Sequence, residues 1–139
     1  ELQEGSLPEW LTIGQLARYN FYTYLKTKEH TMYFPTSSIL IEFLILAIID
    51  REDSYGYEIS QTIKLAANIK ESTLYPILKK LEKAGYMTTY SQAYQGRKRK
   101  YYSITQEGKN QLQFLNEEWL TYKETLDGIV EGRLRHDKD

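Results

Sequence analysis

Apolar residues recur along most of this chain with the period of a helix. In residues 70–84 they fall at i, i+3, i+4 and i+7, which predicts an amphipathic helix that ends at Gly85. The buried stripe of this helix consists of Leu74, Ile77, Leu78 and Leu81. An almost continuous apolar run from Ile39 to Ile49 predicts an earlier helix, capped by Ser37 or Ser38 and buried on most sides. A weaker pattern predicts a helix between the two, over about residues 55–67.

The apolar period changes to two after Gly85. Residues 86–94 and 97–105 are rich in Tyr and Thr and are joined by Gln95-Gly96, which predicts a β-hairpin. Thr105 is a suitable cap for a last long helix, to about Arg133. The predicted fold is therefore mostly α with a small β-hairpin wing. It is a winged helix-turn-helix with a long C-terminal helix and an extra N-terminal helix.

The same pattern divides the chain into three segments. Residues 1–34 are an N-terminal extension, in which apolar spacing predicts one amphipathic helix over about residues 7–27, opened by a capping box at Ser6-Leu7-Pro8-Glu9. Residues 35–105 are the winged helix-turn-helix, and residues 106–139 are the C-terminal dimerisation helix and tail. We see no signal peptide and no apolar run long enough to cross a bilayer, so we expect a cytoplasmic protein without a membrane partner.

Composition argues against catalysis and metal binding. The chain has no cysteine, and its two histidines, His30 and His136, lie near opposite ends of the sequence. No metal site and no cofactor is therefore expected. We find no nucleophile–base arrangement and no glycine-rich phosphate loop. The adjacent acids Glu117 and Glu118 point apart on a helix, so they cannot act as a carboxylate pair. The sequence favours a protein that is not an enzyme.

A net charge of −1 conceals a segregated charge distribution. Residues 64–105 carry nine basic and two acidic side chains, whereas residues 1–63 carry four and nine, and residues 106–139 carry five and eight. A positive surface confined to one part of a chain is typical of nucleic-acid binding. An uneven but solvated surface is the alternative.

Hydroxyls and cations lie opposite the apolar stripe of the helix over residues 70–84. The hydroxyls cluster at its N-terminus, where recognition helices meet base edges in the major groove, and the lysines further along suit phosphates. Pro76 lacks an N–H, which favours a helix start near Ser72, or a bend if the helix begins earlier. The candidate DNA-binding residues here are Ser72, Thr73, Tyr75, Pro76, Lys79 and Lys80.

Four consecutive cations follow the glycine of the predicted hairpin turn: Arg97, Lys98, Arg99 and Lys100. A wing with this charge can straddle a DNA backbone or enter a minor groove. Alternation along the strand sends the two arginines to one face and the two lysines to the other. Protection of an edge strand against sheet-to-sheet pairing is the alternative, but it needs only one or two charges.

Taken together, these residues resemble the PadR family of bacterial transcription regulators over about residues 37–133. The matching stretches are residues 55–59, 73–82 and 96–105, with Gly85 and Gly108 in the expected places. The resemblance implies a winged-helix homodimer joined mainly by its C-terminal helix. It also implies a repressor that binds double-stranded DNA at an inverted repeat, and in many members release by a small aromatic or drug-like effector. The DNA contacts it implies are Thr73, Tyr75, Lys79, Arg97, Lys98 and Arg99.

An apolar seam with alternating steps of three and four runs along the C-terminal helix, as in a coiled coil. A symmetric partner is the usual way to bury such a seam, and packing onto the helix's own domain is the alternative. Trp119 lies mid-seam, either as an interface anchor or, as in some PadR-family members, as the wall of a cleft for a planar ligand. The seam residues are Leu112, Leu115, Trp119, Tyr122, Leu126 and Ile129.

Two interpretations of the function stay open at this level. The first is a sequence-specific DNA-binding transcription regulator. The second is a winged-helix module that binds an acidic protein partner through its basic wing. Hydroxyl side chains clustered on the lysine-bearing face of the helix favour DNA over a protein partner.

Overall fold

The computed structural model describes residues 12, 14, 15, 18, 20, 21, 23 and 34–137. Within residues 34–137 the helices are α1 (Ser38–Arg51), α2 (Gly56–Ile63), α3 (Glu71–Lys83) and α4 (Gln106–Val130). The strands are β1 (Ser54–Tyr55), β2 (Met87–Tyr94) and β3 (Arg97–Ile104), which form one antiparallel sheet in the order β1-β3-β2. This architecture confirms the predicted winged helix-turn-helix followed by a long C-terminal helix.

The helix predicted over residues 7–27 lies mostly outside the described residues. Those described between residues 14 and 23 are helical. The backbone N–H of Gln15 donates to Thr12 Oγ1 at 3.1 Å, and the N–H of Thr12 donates to Gln15 Oε1 at 2.8 Å. This reciprocal pair is a capping box. The box predicted at Ser6–Glu9 is not among the described residues.

One apolar cluster holds the helices and the sheet together. The predicted stripe of α3 is confirmed, since Leu74, Leu78 and Leu81 are buried and Ile77 packs at the margin of the cluster. The other buried members come from α1, α2, the α2–α3 link, the sheet and α4, and they are Ile41, Ile45, Leu46, Ile49, Ile59, Ile63, Ala67, Ile69, Met87, Tyr102 and Leu115. Because the leucine face of α3 is buried in this cluster, its opposite face points to solvent.

Two helices end earlier than the sequence pattern predicted. α2 stops at Ile63 instead of near Ala67, because the chain tightens into a turn in which the N–H of Leu65 bonds the carbonyl of Thr62 at 3.1 Å. α4 stops at Val130 instead of near Arg133. There Gly132 adopts a φ of 77°. Apolar spacing continues through both turns, which is why it could not reveal them.

The wing is a two-residue hairpin, as predicted. Gln95 and Gly96 have φ values of 49° and 77°, and Tyr94 pairs with Arg97 across the ladder. Two successive positive φ angles are the signature of a type I′ turn, whose twist matches that of the flanking strands. We call residues 95–98 the wing tip, because they are the part of the hairpin furthest from β1.

Thr105 joins the end of α3 to the start of α4. Its Oγ1 accepts from the N–H of Gly108 at 3.0 Å, which confirms the predicted cap, and donates to the carbonyl of Gly85 at 2.6 Å. Its own N–H bonds the carbonyl of Tyr86 at 3.1 Å. That same carbonyl oxygen lies 2.0 Å from where a Cβ on Gly108 would be. The helix therefore requires a glycine at this position.

Replacing Gly108 by Ala should lower the free energy of unfolding by at least about 2 kcal/mol, because the new methyl group meets a backbone carbonyl that cannot move alone. Gly128→Ala on the same helix is the matched control. The atoms nearest to a Cβ on Gly128 belong to the side chain of Leu134, at 2.6 and 2.7 Å. Because a side chain shifts more easily than a backbone carbonyl, and Ala favours a helix over Gly by about 1 kcal/mol, this variant should lose clearly less stability than Gly108→Ala. Equal stabilities in urea titration would contradict the close approach at Gly108.

Candidate nucleic-acid interface

The solvent-facing side of α3 carries the predicted hydroxyls and cations. All six candidate residues of this helix are exposed: Ser72, Thr73, Tyr75, Pro76, Lys79 and Lys80. The helix begins at Glu71, with Lys70 as a cap residue that makes no side-chain bond. The helix therefore starts earlier than the predicted cap near Ser72 would allow, and Pro76 falls inside it. Because Pro76 has no N–H, the carbonyl of Ser72 lacks its usual helical donor and is open to other donors.

Tyr75 packs on the N-terminus of α2. Its hydroxyl oxygen lies 2.8 Å from the place that a Cβ on Gly56 would take, so only glycine allows this contact. The ring remains 46% exposed, which leaves an edge available to a ligand. Sequence reasoning missed the role of Gly56, although the stretch around it was among those that resembled the PadR family.

Lys79 and Lys80 are neighbours with different surroundings. The Nζ of Lys80 lies 2.8 Å from Oε2 of Glu42, a residue of α1 whose side chain is only 6% exposed. Lys80 therefore neutralises a buried carboxylate and ties α3 to α1. Lys79 is exposed, and no ion pair involving it occurs in the described part of the chain.

The four wing cations alternate between the two faces of β3, as predicted. Lys100 faces the body of the domain, where its Nζ lies 3.7 Å from Oε1 of Glu82 and 5.4 Å from the ring centroid of Tyr102. Burial is the main cause that raises the pKa of Tyr102, with the nearby Glu82 carboxylate adding to it. Arg97 and Lys98 at the wing tip are exposed, and neither forms an ion pair within the described ranges.

Arg99 lies among tyrosine rings on the other face of the wing. The carbon of its guanidinium is 3.9 Å from the ring centroid of Tyr55 and 3.7 Å from that of Tyr94. It also donates to the hydroxyl of Tyr101 at 3.4 Å. That hydrogen bond is the main cause that raises the pKa of Arg99, so the group stays charged in all practical conditions.

Three further contacts extend this group of rings. Tyr101 stacks on Tyr90 and meets Tyr55 edge-on, both at 5.5 Å between centroids. The hydroxyl of Tyr90 donates to Oδ2 of Asp53 at 2.7 Å, and this bond is the main cause that raises the pKa of Tyr90. We call Tyr55, Tyr90, Tyr94 and Tyr101, with Arg99, the tyrosine cluster. It was not predicted, although the alternation of residues 90, 94, 99 and 101 places them on one face of a hairpin.

The apolar seam of α4 divides into a buried and an exposed part. Leu115 is 8% exposed and Leu112 is half-buried against the core of the same domain. These two residues therefore pack onto the helix's own domain, the alternative to a dimer seam. The remaining seam residues are exposed: Trp119 at 37%, Tyr122 at 58%, Leu126 at 44% and Ile129 at 58%.

A groove of about 720 Å³ separates the exposed seam from the start of α1. Trp119 forms one wall, with its ring centroid 6.4 Å from that of Phe43 and 6.2 Å from that of Tyr122. The lining is apolar apart from Ser37 and Glu118, and it also includes Phe34, Pro35, Ile39, Leu40, Leu115 and Leu126. The groove has the size and character of a small-molecule or helix-docking site.

Metal-ligand groups and membrane-spanning helices are the two other features to consider in the described residues. No group of three His, Cys, Asp or Glu residues among them is placed to hold a metal ion. In the same part of the chain, no helix is long and apolar enough to span a bilayer.

A three-helix core with a hairpin wing and a basic exposed helix face defines a winged-helix protein. The model of the family described as "Transcriptional regulator PadR-like family" matches residues 45–114, and the chain belongs to this family. Its members are transcriptional regulators rather than enzymes, which confirms the prediction of a non-enzymatic protein.

Solved structures of similar proteins support the assignment. The crystal structure of smu.1704 from Streptococcus mutans UA159 is 68% identical, with a TM-score of 0.74 over 76% of this chain and 100% of that chain. A PadR family transcription regulator from Clostridium difficile R20291 is 33% identical, with a TM-score of 0.61 over 65% of this chain and 97% of that one. An uncharacterized protein of Lysinibacillus sphaericus is 43% identical over 97 residues, 66% of this chain and 89% of that protein.

The two adjacent lysines of α3 should differ in what they contribute. Lys80→Ala leaves the buried Glu42 carboxylate unpaired, and we expect a loss of about 1–2 kcal/mol in unfolding free energy, moderated because Lys80 itself is largely exposed. Lys79→Ala should change stability by less than about 0.5 kcal/mol. Adding Glu42→Gln to Lys80→Ala should restore part of the loss, since a buried amide costs less than a lone carboxylate. Identical urea midpoints for both lysine variants would refute the pairing.

Proposed function

We propose that this protein is a sequence-specific DNA-binding transcription regulator that inserts α3 into the major groove and lays the wing along the backbone. The observation that carries the proposal is the exposed face of α3, where hydroxyls precede cations on a helix anchored by three buried leucines. Recognition helices of winged-helix proteins have this division. Glu82 of α3 binds both Thr89 and Lys100, so helix and wing act as one surface.

The residues of this surface take different roles in the proposal. Ser72, Thr73, Tyr75 and Pro76 lie in the N-terminal half of α3 and meet base edges, while Lys79 meets a phosphate. Arg97 and Lys98 contact the backbone from the wing tip. Lys80 and Lys100 already have carboxylate partners, so we expect smaller contributions from them.

We propose further that the protein acts as a homodimer on an inverted repeat. Four large apolar side chains of α4 are exposed, and a second copy is the usual means of covering such a stripe. A two-fold pair would separate its α3 helices by one turn of DNA, about 34 Å. Such a dimer represses transcription by occupying a promoter. The protein acts in the cytoplasm. The apolar groove beside Trp119 suits a small aromatic effector that releases the DNA.

Fluorescence anisotropy with a labelled duplex from the region upstream of its own gene, compared with scrambled DNA, tests the regulator. Arg97→Ala with Lys98→Ala should weaken binding to both duplexes, because phosphate contacts carry little sequence information. The log–log salt slope of a dimer should become shallower by up to about 3.6, since each phosphate contact accounts for about 0.9.

Lys109→Ala is the matched control, because it removes an exposed lysine in the first turn of α4, which follows the end of β3 opposite the wing tip. It should leave the slope unchanged. A wild-type protein that bound both duplexes weakly and equally would favour the alternative, a wing that docks an acidic protein. An unchanged slope in the wing variant would remove Arg97 and Lys98 from the DNA contacts.

Leu126→Glu with Ile129→Glu should give a monomer, because two charges cannot be buried in an apolar interface without partners. Light scattering should then report the protomer mass of 16.4 kDa instead of twice that value. Leu115 is left unchanged because it belongs to the core. Gln113→Glu with Thr121→Glu adds the same charge to other exposed positions of α4 and should stay dimeric. A dimeric mass for the first variant would refute this interface.

A further inference from the structure

We propose that Arg99 and the tyrosine cluster brace the wing, so that Arg99 is a positioning residue for the wing tip instead of a phosphate contact. The proposal rests on the proposed DNA-binding function, and it names the residues that hold the wing in place for it. It gives one of the four wing cations a role different from that of its neighbours.

The wing needs a brace because most of it is a two-stranded ribbon. β1 pairs with β3 only at Tyr101 and Tyr102. From the pair of Ser91 and Lys100 outward to the turn, β2 and β3 pair with no strand other than each other. An isolated two-stranded hairpin is marginally stable in water. Without further contacts the wing tip would therefore fluctuate relative to α3.

Arg99 connects the supported and unsupported parts of this ribbon. One face of its guanidinium meets Tyr55 in β1, which is part of the domain body, and it also meets Tyr94, which directly precedes the turn. Tyr94 pairs with Arg97 across the ladder, on the same face as Arg99. A side chain seated against both rings thus links the domain body to the residue opposite Arg97.

The inner end of the cluster is itself anchored. Tyr101 packs against Tyr55 and Tyr90, and Tyr90 is bonded to Asp53 in the link between α1 and β1. Two rings and a hydroxyl already contact Arg99, which is half-buried. These contacts hold its side chain against the wing and leave only part of the guanidinium edge for a phosphate. Arg97 and Lys98 have no comparable contacts within the described residues, so they can bind phosphates without this restriction.

The proposal depends on the planarity of arginine. A guanidinium can stack its flat faces on aromatic rings, whereas the ammonium of lysine is a compact, strongly hydrated charge. Arg99→Lys therefore keeps the charge and loses the stacking. Lysine still binds phosphate as a point charge, and the loss of a phosphate contact alone would leave hydrogen exchange in the free protein unchanged. The same substitution at Arg97 is the matched control.

The first measurement is amide hydrogen exchange on the free protein, which needs no DNA. Arg99→Lys should speed exchange at residues 93–98 while the protection of α1 and α3 stays unchanged, and Arg97→Lys should leave the wing as in wild type. Tyr94→Leu should reproduce the effect of Arg99→Lys, and Tyr94→Phe, which keeps the ring, should not. Unchanged exchange at the wing tip in Arg99→Lys would overturn the brace, whether or not the protein binds DNA.

The second measurement is DNA affinity and its salt slope. Arg99→Lys should weaken binding by roughly tenfold, the order expected for the loss of cation–π contacts, with a slope equal to that of wild type. Arg97→Lys should retain the affinity. Wild-type affinity in Arg99→Lys would instead mark Arg99 as an ordinary phosphate contact and overturn the proposal. Failure of the wild-type protein to bind any duplex would refute the proposed function, and hydrogen exchange would still decide the brace.

Discussion

Burial of three leucines of α3 is the constraint on which the rest of this structure depends. Leu74, Leu78 and Leu81 are each no more than 1% exposed, and their removal from water stabilises the fold by several kcal/mol, at about 2 kcal/mol for each fully buried leucine. Once such a stripe is buried, only the opposite face of the helix is left exposed to solvent. The rotation of α3 about its own axis, and with it the set of residues that face solvent, follows from this packing.

The basic side chains of residues 64–105 serve several different purposes. Lys80 and Lys100 lie against carboxylates of the same domain, and Arg99 lies against aromatic rings. These contacts hold α1, α3 and the wing to one another. Of the candidate DNA-binding cations, Lys79, Arg97 and Lys98 have no such contact within the described residues and can bind an external anion without losing one. A count of basic residues therefore overstates the number of DNA contacts that the surface can make.

Local patterns predicted most of the fold, and contacts between distant residues explain what they missed. The stripe of α3, the Gln95-Gly96 turn and the Thr105 cap each depend on neighbours a few residues away, so spacing and residue type revealed them. The pairing of Lys80 with Glu42 joins positions 38 residues apart, and nothing in the spacing of either residue indicates the other. The contacts of Tyr55 in the tyrosine cluster likewise require β1 beside β3, a pairing that no local pattern specifies. The exposed face of α3 and the wing could thus be predicted as a segment, whereas the internal partners of Lys80, Arg99 and Lys100 could not.

α1 contacts both the apolar groove and α3, the two parts of the molecule on which regulation would depend. Phe43 faces the apolar groove and meets Trp119, while the preceding residue, Glu42, is buried and holds Lys80 of α3. Side chains in a close-packed interior cannot shift independently of their backbone. Under the proposed function, a second copy or a small aromatic molecule in the groove would contact the same helix that holds Lys80 of α3. Adjacent residues of α1, Glu42 and Phe43, would then link the groove to the surface proposed to bind DNA.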